Sequence, residues 1–196
     1  MKFVSGAEAA VVEDSLIIAD LHLGMERELL RRGIRIGGFT DYLIDKTLLL
    51  LSETRCKKLV ILGDIKENVV AMEGEVHHYF DSIFPHAKVT VCKGNHDGNL
   101  ERIPGISVAG PEGIVLHGTG MFHGHAWPSP ELMRCKTILM GHNHPQLTFF
   151  DAGKKEPHPV WLFCPPLKTA IRKKYPKFNA GAKLLVMPSF NPLLGN

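Results

Sequence analysis

Thr137-Ile138-Leu139-Met140-Gly141-His142-Asn143-His144 is the densest stretch of this 196-residue chain. Its first four residues form a short apolar run that reads as a buried strand. The run empties into a glycine and two histidines one residue apart. Alternate residues of an extended segment face the same way, so such a strand end aims two imidazoles at one point. A single His-x-His proves little. The weight comes from repetition of the pattern upstream. Leu16–Ala19 leads into Asp20-Leu21-His22, Lys58–Leu62 into Gly63-Asp64, and Val89–Cys92 into Lys93-Gly94-Asn95-His96-Asp97. Gly120-Met121-Phe122 leads into His123-Gly124-His125. Five apolar strands therefore end in metal-type side chains, and glycine lets the backbone turn sharply and approach an ion closely.

The segments between these strand ends set the fold class. Ala9–Val12 and Leu16–Ala19 read as two strands around the polar turn Glu13-Asp14-Ser15. Glu26–Arg32 reads as a short basic helix capped by Gly33. A second helix is expected from an N-cap at Thr40 to about Thr54, with Ile44, Leu48 and Leu51 as its buried stripe. A third carries Val76, Phe80, Ile83 and Phe84 on one face. Strand, helix, strand, helix, strand argues for right-handed crossovers and a parallel sheet. From Gly105 onward short strands separated by Gly and Pro take over: Ile106–Val108, Gly113–Leu116 and Gly120–Phe122. Ser129-Pro130-Glu131 opens a short helix to about Arg134. Gln146–Phe150 and Pro159–Phe163 are expected to flank a hairpin turn at Asp151–Lys154. Lys168–Lys177 reads as a basic loop, and Lys183–Met187 as the closing strand. The expected architecture is a single α/β domain over residues 1–196. It is a four-layer α/β/β/α sandwich: two central mixed sheets flanked by helices, with the metal site at the C-terminal ends of the strands.

Composition sets wide bounds. Hydrophobic content of 44% and charged content of 22% are ordinary for a soluble globular domain. A net charge of +3 suits an anionic substrate without demanding nucleic acid. Cys56, Cys92, Cys135 and Cys164 are widely spaced, with no C-x-x-C pair; buried free thiols and a reducing, cytoplasmic setting are expected. Met1–Gly6 lacks the apolar core of a signal peptide, and no run approaches membrane-spanning length.

Carboxylate, amide oxygen and imidazole together suit manganese, iron, zinc or nickel; all-oxygen ligands would suit magnesium or calcium, and thiolates a structural zinc. The groups at these five strand ends exceed the need of one four-coordinate zinc. They suit two divalent ions sharing a carboxylate, manganese first among the alternatives. Two ions about 3.5–4 Å apart bind a bridging hydroxide and clamp both ends of an in-line displacement at phosphorus.

In order, Asp20-x-His22, Gly63-Asp64-x-x-Glu67, Gly94-Asn95-His96-Asp97, His123 and Gly141-His142-x-His144 resemble the motif series of the calcineurin-like metallophosphoesterase superfamily. The likeness spans roughly residues 16 to 144. Asp20-Leu21-His22-Leu23-Gly24, and Trp127-Pro128 after His123-Gly124-His125, are most similar to the small SbcD-related phosphoesterases of archaea and bacteria. The resemblance implies that Asp20, His22 and His144 hold one ion, that Asn95, His123 and His142 hold the other, and that Asp64 bridges them. It implies hydrolysis of a phosphodiester or phosphomonoester. His96 would act as general acid or electrostatic partner of the leaving oxygen, with Asp97 orienting it. A histidine beside a ligand on one tight turn can indeed reach substrate rather than metal. The expected partner is a phosphate ester, with nucleotides and nucleic acid among the candidates. No membrane contact is expected, and no patch reads as an oligomer interface.

The sequence departs from the family's double-strand-break nucleases. Those carry Gly-Asp-Leu-Phe-His at the second motif and an added DNA-facing domain, whereas this chain has Gly63-Asp64-Ile65-Lys66-Glu67. A nuclease or repair-linked phosphodiesterase is therefore the alternative. An alternative of another class is a non-catalytic metal-binding scaffold of the same fold, against which the retained catalytic side chains argue. His117 and His125 compete with His123 as ligand; otherwise His125 faces substrate or is a surface histidine. Lys66 and Glu67 are expected to contact phosphate, to orient ligands or to form a simple salt bridge. Arg27, Arg31, Arg32 and Arg35, and Arg172, Lys173 and Lys174, either funnel an anion or form solvated faces. Trp127 either stacks on a base or anchors its loop into the core. His77 and His78 are expected on the solvent side of the third helix; His86 and His158 need no role.

Overall fold

Leu16, Ile17, Ile18 and Ala19 are all fully buried, yet they do not share a core. Leu16 and Ile18 join one apolar cluster, and Ile17 and Ala19 join another. Side chains alternate along a strand, so a strand apolar throughout has to be covered on both faces. Leu59 and Ile61 divide from Val60 and Leu62 in the same way, as Val89 and Val91 divide from Cys92. Three such strands side by side make a sheet sandwiched between two layers.

The computed structural model describes residues 1–70, 74–151 and 153–194. Its first sheet contains β1 (Lys2–Phe3), β2 (Ala10–Val12), β3 (Ser15–Ile18), β4 (Lys58–Ile61), β5 (Lys88–Cys92) and β6 (Ile106–Ala109), in that spatial order. β3 to β6 run parallel; β1 and β2 run antiparallel at one edge. Ile106–Val108, read as the start of a second region, thus completes the parallel sheet instead. Between β3 and β4 the chain forms α1 (Met25–Arg31) and α2 (Phe39–Thr54), and between β4 and β5 it forms α3 (Gly74–Ile83). α2 and α3 cover the outer face: Leu43, Leu50 and Leu51 of α2 and Val76, Phe80 and Ile83 of α3 belong to the same cluster as Leu16 and Ile61.

The second sheet holds β7 (Ile114–Leu116), β8 (Thr119–Phe122), β9 (Thr137–Met140), β12 (Leu162–Cys164) and β13 (Lys183–Val186), ordered β12-β13-β9-β8-β7. Its three central strands are parallel and its two edges antiparallel. Met121, Leu139 and Leu185 meet Ile17, Val60 and Cys92 between the sheets. Phe122 and Ile138 face outward onto Leu132, Met133, Tyr175 and Phe178. The two central mixed sheets are as expected, but the layer outside the second sheet is slight. It consists of a 3-10 turn at Leu132–Arg134, the following irregular segments and α4 (Lys168–Lys174), which buries none of its own residues.

Several local expectations need correction. Thr40 does not cap α2. Gly38, in the left-handed region at φ 69°, takes that place, and Thr40 Oγ1 donates to Glu26 Oε1 at 2.7 Å, tying α1 to α2. The buried stripe of α2 runs through Leu43, Thr47 and Leu50 beside Ile44 and Leu51, while Leu48 is only half-buried. The strand pairing with β10 (Gln146–Asp151) is β11 (Lys154–Pro159), with Gln146 opposite Pro159. Of the expected Pro159–Phe163 only Pro159 belongs to that partner, because Leu162 and Phe163 belong to the edge strand β12. Ala152, part of the expected turn at Asp151–Lys154, lies outside the described residues. The basic stretch after Leu167 is a helix rather than a loop. Gly33 does close α1: at φ 83° its N–H donates to Leu30 O at 2.9 Å.

Candidate metal centre

Beyond their last paired residues, β3 and β4 stay zipped together. Asp20 N–H donates to Gly63 O (3.1 Å), His22 N–H to Asp64 O (2.9 Å), Leu23 N–H to Ile65 O (2.7 Å) and Glu67 N–H to Leu23 O (2.9 Å). This extended ladder fixes the loops that carry Asp20, His22, Asp64 and Glu67. The β9 loop is fastened to the first by His142 N–H, 3.1 Å from Asp20 Oδ2. The β5 loop is fastened by His96 N–H, 2.9 Å from Asp64 Oδ1. Asp97 adds a clamp: its carboxylate accepts Gly94 N–H and Ile65 N–H, each at 2.8 Å.

Asp20, His22, Asp64, His142 and His144 all have positive φ, between 41° and 70°. Non-glycine residues adopt this region at a cost of about 1–3 kcal/mol each, and such strain concentrates at functional sites. Here it turns each side chain inward. Gly63 shows why a small residue stands beside the carboxylate: at φ 78° an added Cβ would lie 2.6 Å from His123 Nδ1.

The side chains converge in two groups. In the first, Asp20, His22 and His144 each offer a ligand atom within 4.8 Å of the others; His144 Nε2 lies 3.3 Å from Asp20 Oδ1. In the second, Asp64, His123 and His142 meet the same limit. His123 Nε2 lies 3.1 Å from His142 Nδ1, 3.1 Å from Asn95 Oδ1 and 3.4 Å from Asp64 Oδ2. That same Asp64 oxygen is 3.5 Å from His22 Nε2, so it stands between the groups. The donor tautomers are set from outside: His22 Nδ1–H donates to Glu67 Oε2 and His123 Nδ1–H to Leu62 O, at 2.7 and 2.8 Å. Each ring thereby turns its Nε2 inward, as ion-binding histidines do. Nε2 of His22 and of His144 are buried atoms without a hydrogen-bond partner. Two orphaned imidazole nitrogens facing buried carboxylates fit a divalent ion.

The electrostatics point the same way. Burial pushes the Asp64 carboxyl up, but the hydrogen bond and charge of His123 outweigh it and hold the group well below the usual carboxylate range. Burial drags His123 down, yet Asp64 and Asp20 raise it overall. Burial lowers His142, helped by the charge on His123. The two carboxylates that raise His123 against its burial would favour a cation in the same place.

His123 is fully buried at this centre, whereas His117 is exposed in the β7–β8 turn. His125 is exposed at the rim, its ring 5.2 Å from that of His123. The half-buried His96 packs edge-on against His22 at 5.0 Å, and its Nδ1 lies 2.8 Å from Glu67 O. Glu67, not Asp97, therefore holds the His96 ring; Asp97 braces the backbone. A third cluster, His22, Glu67 and His96, also meets ligand spacing. Lys66 is fully buried and donates to Val69 O at 2.7 Å, so it shapes its loop rather than facing substrate. Arg27 is engaged with Glu75 and Arg31 with Glu28, and both line a shallow cleft of about 100 Å3 with Glu67 and Asn68. Trp127 does not anchor its loop in the core: it is 69% exposed. His77, His78, His86 and His158 lie elsewhere; His78 pairs with Asp41.

Sequence reasoning passed over Ser189 and Asn191. Ser189 Oγ donates to Asp20 O and Asn191 Nδ2 to Leu21 O, bracing the first loop from the far end of the chain. The signal available was Pro188-Ser189-Phe190-Asn191-Pro192, polar residues confined between prolines.

No family model matches the sequence, and no curated protein matches it either. Solved structures do. The Pseudomonas putida nuclease MPE superposes with a TM-score of 0.61 at 22% identity, over 93% of this chain and 78% of its own. Looser matches include the phosphoesterase YfcE from E. coli and a single mutant of Vps29 from Entamoeba histolytica. The former is 17% identical over 66% of this chain and 69% of its own, with a TM-score of 0.42. The latter is 18% identical over 93% and 79%, with a TM-score of 0.41. The first of these likenesses shows the fold: the chain has the calcineurin-like metallophosphoesterase fold.

Proposed function

We propose that the chain is a divalent-metal-dependent phosphoesterase, a hydrolase of phosphodiester or phosphomonoester bonds built as one domain. The observation that carries this reading is the pair of ligand groups joined by Asp64, whose Oδ2 lies within 3.5 Å of both His22 Nε2 and His123 Nε2. Asp20, His22 and His144 would hold one ion, Asn95, His123 and His142 the other, and Asp64 both. The mixed nitrogen and oxygen donors favour manganese, with iron, zinc or nickel as alternatives. Bound there, two such ions would activate water and neutralise charge on the phosphoryl oxygens.

The remaining work falls to the chain. Glu67 holds His22 and His96 at once, the first by its carboxylate and the second by its carbonyl. With Nδ1–H donated to that carbonyl, the imidazolium of His96 presents Nε2–H to substrate. That proton passes to the leaving oxygen as its bond to phosphorus breaks, in general acid catalysis. His125 and the Arg27–Arg31 cleft flank the centre and would take up substrate oxygens. The fold shared with the nuclease MPE makes nucleic acid a candidate substrate beside nucleotides and other small esters. Free cysteines, three of them buried, suit a reducing compartment such as the cytoplasm. No helix among the described residues is long and apolar enough to cross a membrane.

The test is turnover of bis(p-nitrophenyl) phosphate and p-nitrophenyl phosphate, first in chelator and then in excess Mn²⁺. Metal-dependent release of nitrophenol from either ester supports the reading, and the preferred ester assigns the bond class. Absence of both turnover and metal binding rejects it.

A further inference from the structure

An apolar cleft of about 330 Å3 opens on the outer face of the second sheet, where the covering layer is thin. Met133, Ile138, Met140, Ile171 and Tyr175 line it. Its floor is built from the same strands, β8 and β9, whose ends carry candidate metal ligands. Phe122 precedes His123 directly, and Met140 is separated from His142 by Gly141 alone. His125 stands at the junction: it lines the cleft, and its ring lies 5.2 Å from that of His123 and 6.3 Å from that of His142.

The rim differs from the floor. Trp127 stands at the mouth, 69% exposed, with Lys174 Nζ 4.5 Å from its ring centroid and the Tyr175 ring 6.3 Å away. α4, which supplies Lys174, reads Lys168-Thr169-Ala170-Ile171-Arg172-Lys173-Lys174: four cations and no acid. Ile171 faces the cleft while the cations stay in water. An exposed aromatic face, an apolar slot and a cationic margin beside a phosphoryl-transfer centre match a ligand of alternating character, with flat apolar rings on an anionic chain. A lipid-like ester would fill the slot without using the aromatic lip. A base-paired duplex would offer only its edges, because its ring faces are already stacked.

We infer that this cleft is the subsite for an unpaired nucleobase of a single-stranded nucleic-acid substrate. The base stacks on Trp127 and enters the slot, α4 holds the neighbouring phosphate, and the adjoining phosphodiester reaches the centre past His125. Aromatic stacking with cationic support is how sequence-tolerant single-strand sites gain affinity. The inference rests on the phosphoesterase reading and narrows it to a substrate class.

The experiment uses the full chain carrying Trp161→Phe, which leaves Trp127 as the reporter of the two tryptophans. It is titrated in excess chelator with a short single-stranded oligodeoxyadenylate, and with the same sugar–phosphate chain lacking bases. The base-bearing strand should quench Trp127 emission and bind about tenfold tighter, one stacked base being worth roughly 1–3 kcal/mol. In Trp127→Ala, followed by anisotropy of labelled strands, the two chains should bind alike; the side chain is exposed, so its truncation leaves the core intact. Equal binding by the parent, or base selectivity that survives Trp127→Ala, overturns the assignment. Turnover of bis(p-nitrophenyl) phosphate on the same preparations reports separately on the phosphoesterase reading. Base selectivity with neither turnover nor metal binding would leave the cleft standing and that reading fallen, and turnover without base selectivity the reverse.

Discussion

Glu67 touches two residues to which the proposed function gives different tasks. Its carboxylate accepts a hydrogen bond from His22 Nδ1–H, and its carbonyl faces Nδ1 of His96. Carboxylates behind ion-binding histidines typically contribute 10–100-fold to metal affinity. Glu67→Ala should therefore weaken Mn²⁺ binding by about that factor in a calorimetric titration, and Glu67→Gln, which keeps an acceptor oxygen, should recover part of it. Unchanged affinity in the alanine variant would show that His22 needs no such partner. His96→Ala tests the other half: turnover should fall by about 10²–10⁴ with metal affinity preserved, and loss of both together would make His96 a ligand instead. The seven ligand-type residues were legible because their chemistry and their place after apolar strands are written in the sequence. The exposure of Trp127 and the burial of Lys66 were not. Both depend on how far a distant layer extends over them, which local sequence does not encode.

At the level of elements, the strand ends are tighter than the strands. Gly63 combines positive φ with a missing Cβ that would strike His123, and Gly94 sits so close to Asp64 that an added Cβ would overlap its backbone nitrogen and carboxylate. Gly63→Ala forces an L-residue into the left-handed region and displaces a ligand-type imidazole. It should lower stability by more than about 1 kcal/mol in urea unfolding and weaken Mn²⁺ binding in the same preparation. A loss of stability with metal binding intact would mean that the His123 ring can move aside freely. Elsewhere, the misread elements have physical explanations. β11 contains Pro157 and Pro159, which argue against a central strand, but in a two-stranded ribbon each strand is an edge and tolerates them. α4 carries a helix-stop signal that its charge obscured: cations in the last turn, then Pro176 two residues beyond. α2 starts at Phe39, one residue before Thr40, because Gly38 supplies the turn and Glu26 claims the threonine hydroxyl.

Taken whole, the molecule closes two sheets over one edge and gathers there two carboxylates, several imidazoles and five strained backbone positions. The sandwich followed from the sequence because runs such as Leu16–Ala19 are apolar on both faces and need two covers. The thin outer layer did not follow, since α4 packs with no buried residue and leaves no periodic apolar stripe to read. Strain and crowded charge at one edge make folding stability depend on what neutralises them. A ligand that binds only the folded chain stabilises it by about 2.7 kcal/mol at a hundredfold excess over its dissociation constant. For a domain of this size each kcal/mol moves the melting midpoint by about 2–4 °C, so saturating Mn²⁺ should raise it by roughly 5–10 °C over the chelated protein. Asp64→Asn should lose most of that rise, because one side chain serves both ion positions. A calorimetric scan showing the same midpoint in chelator and in Mn²⁺ would mean that the convergent histidines and aspartates hold no ion. It would also move the explanation of their strained backbones from metal binding to packing alone.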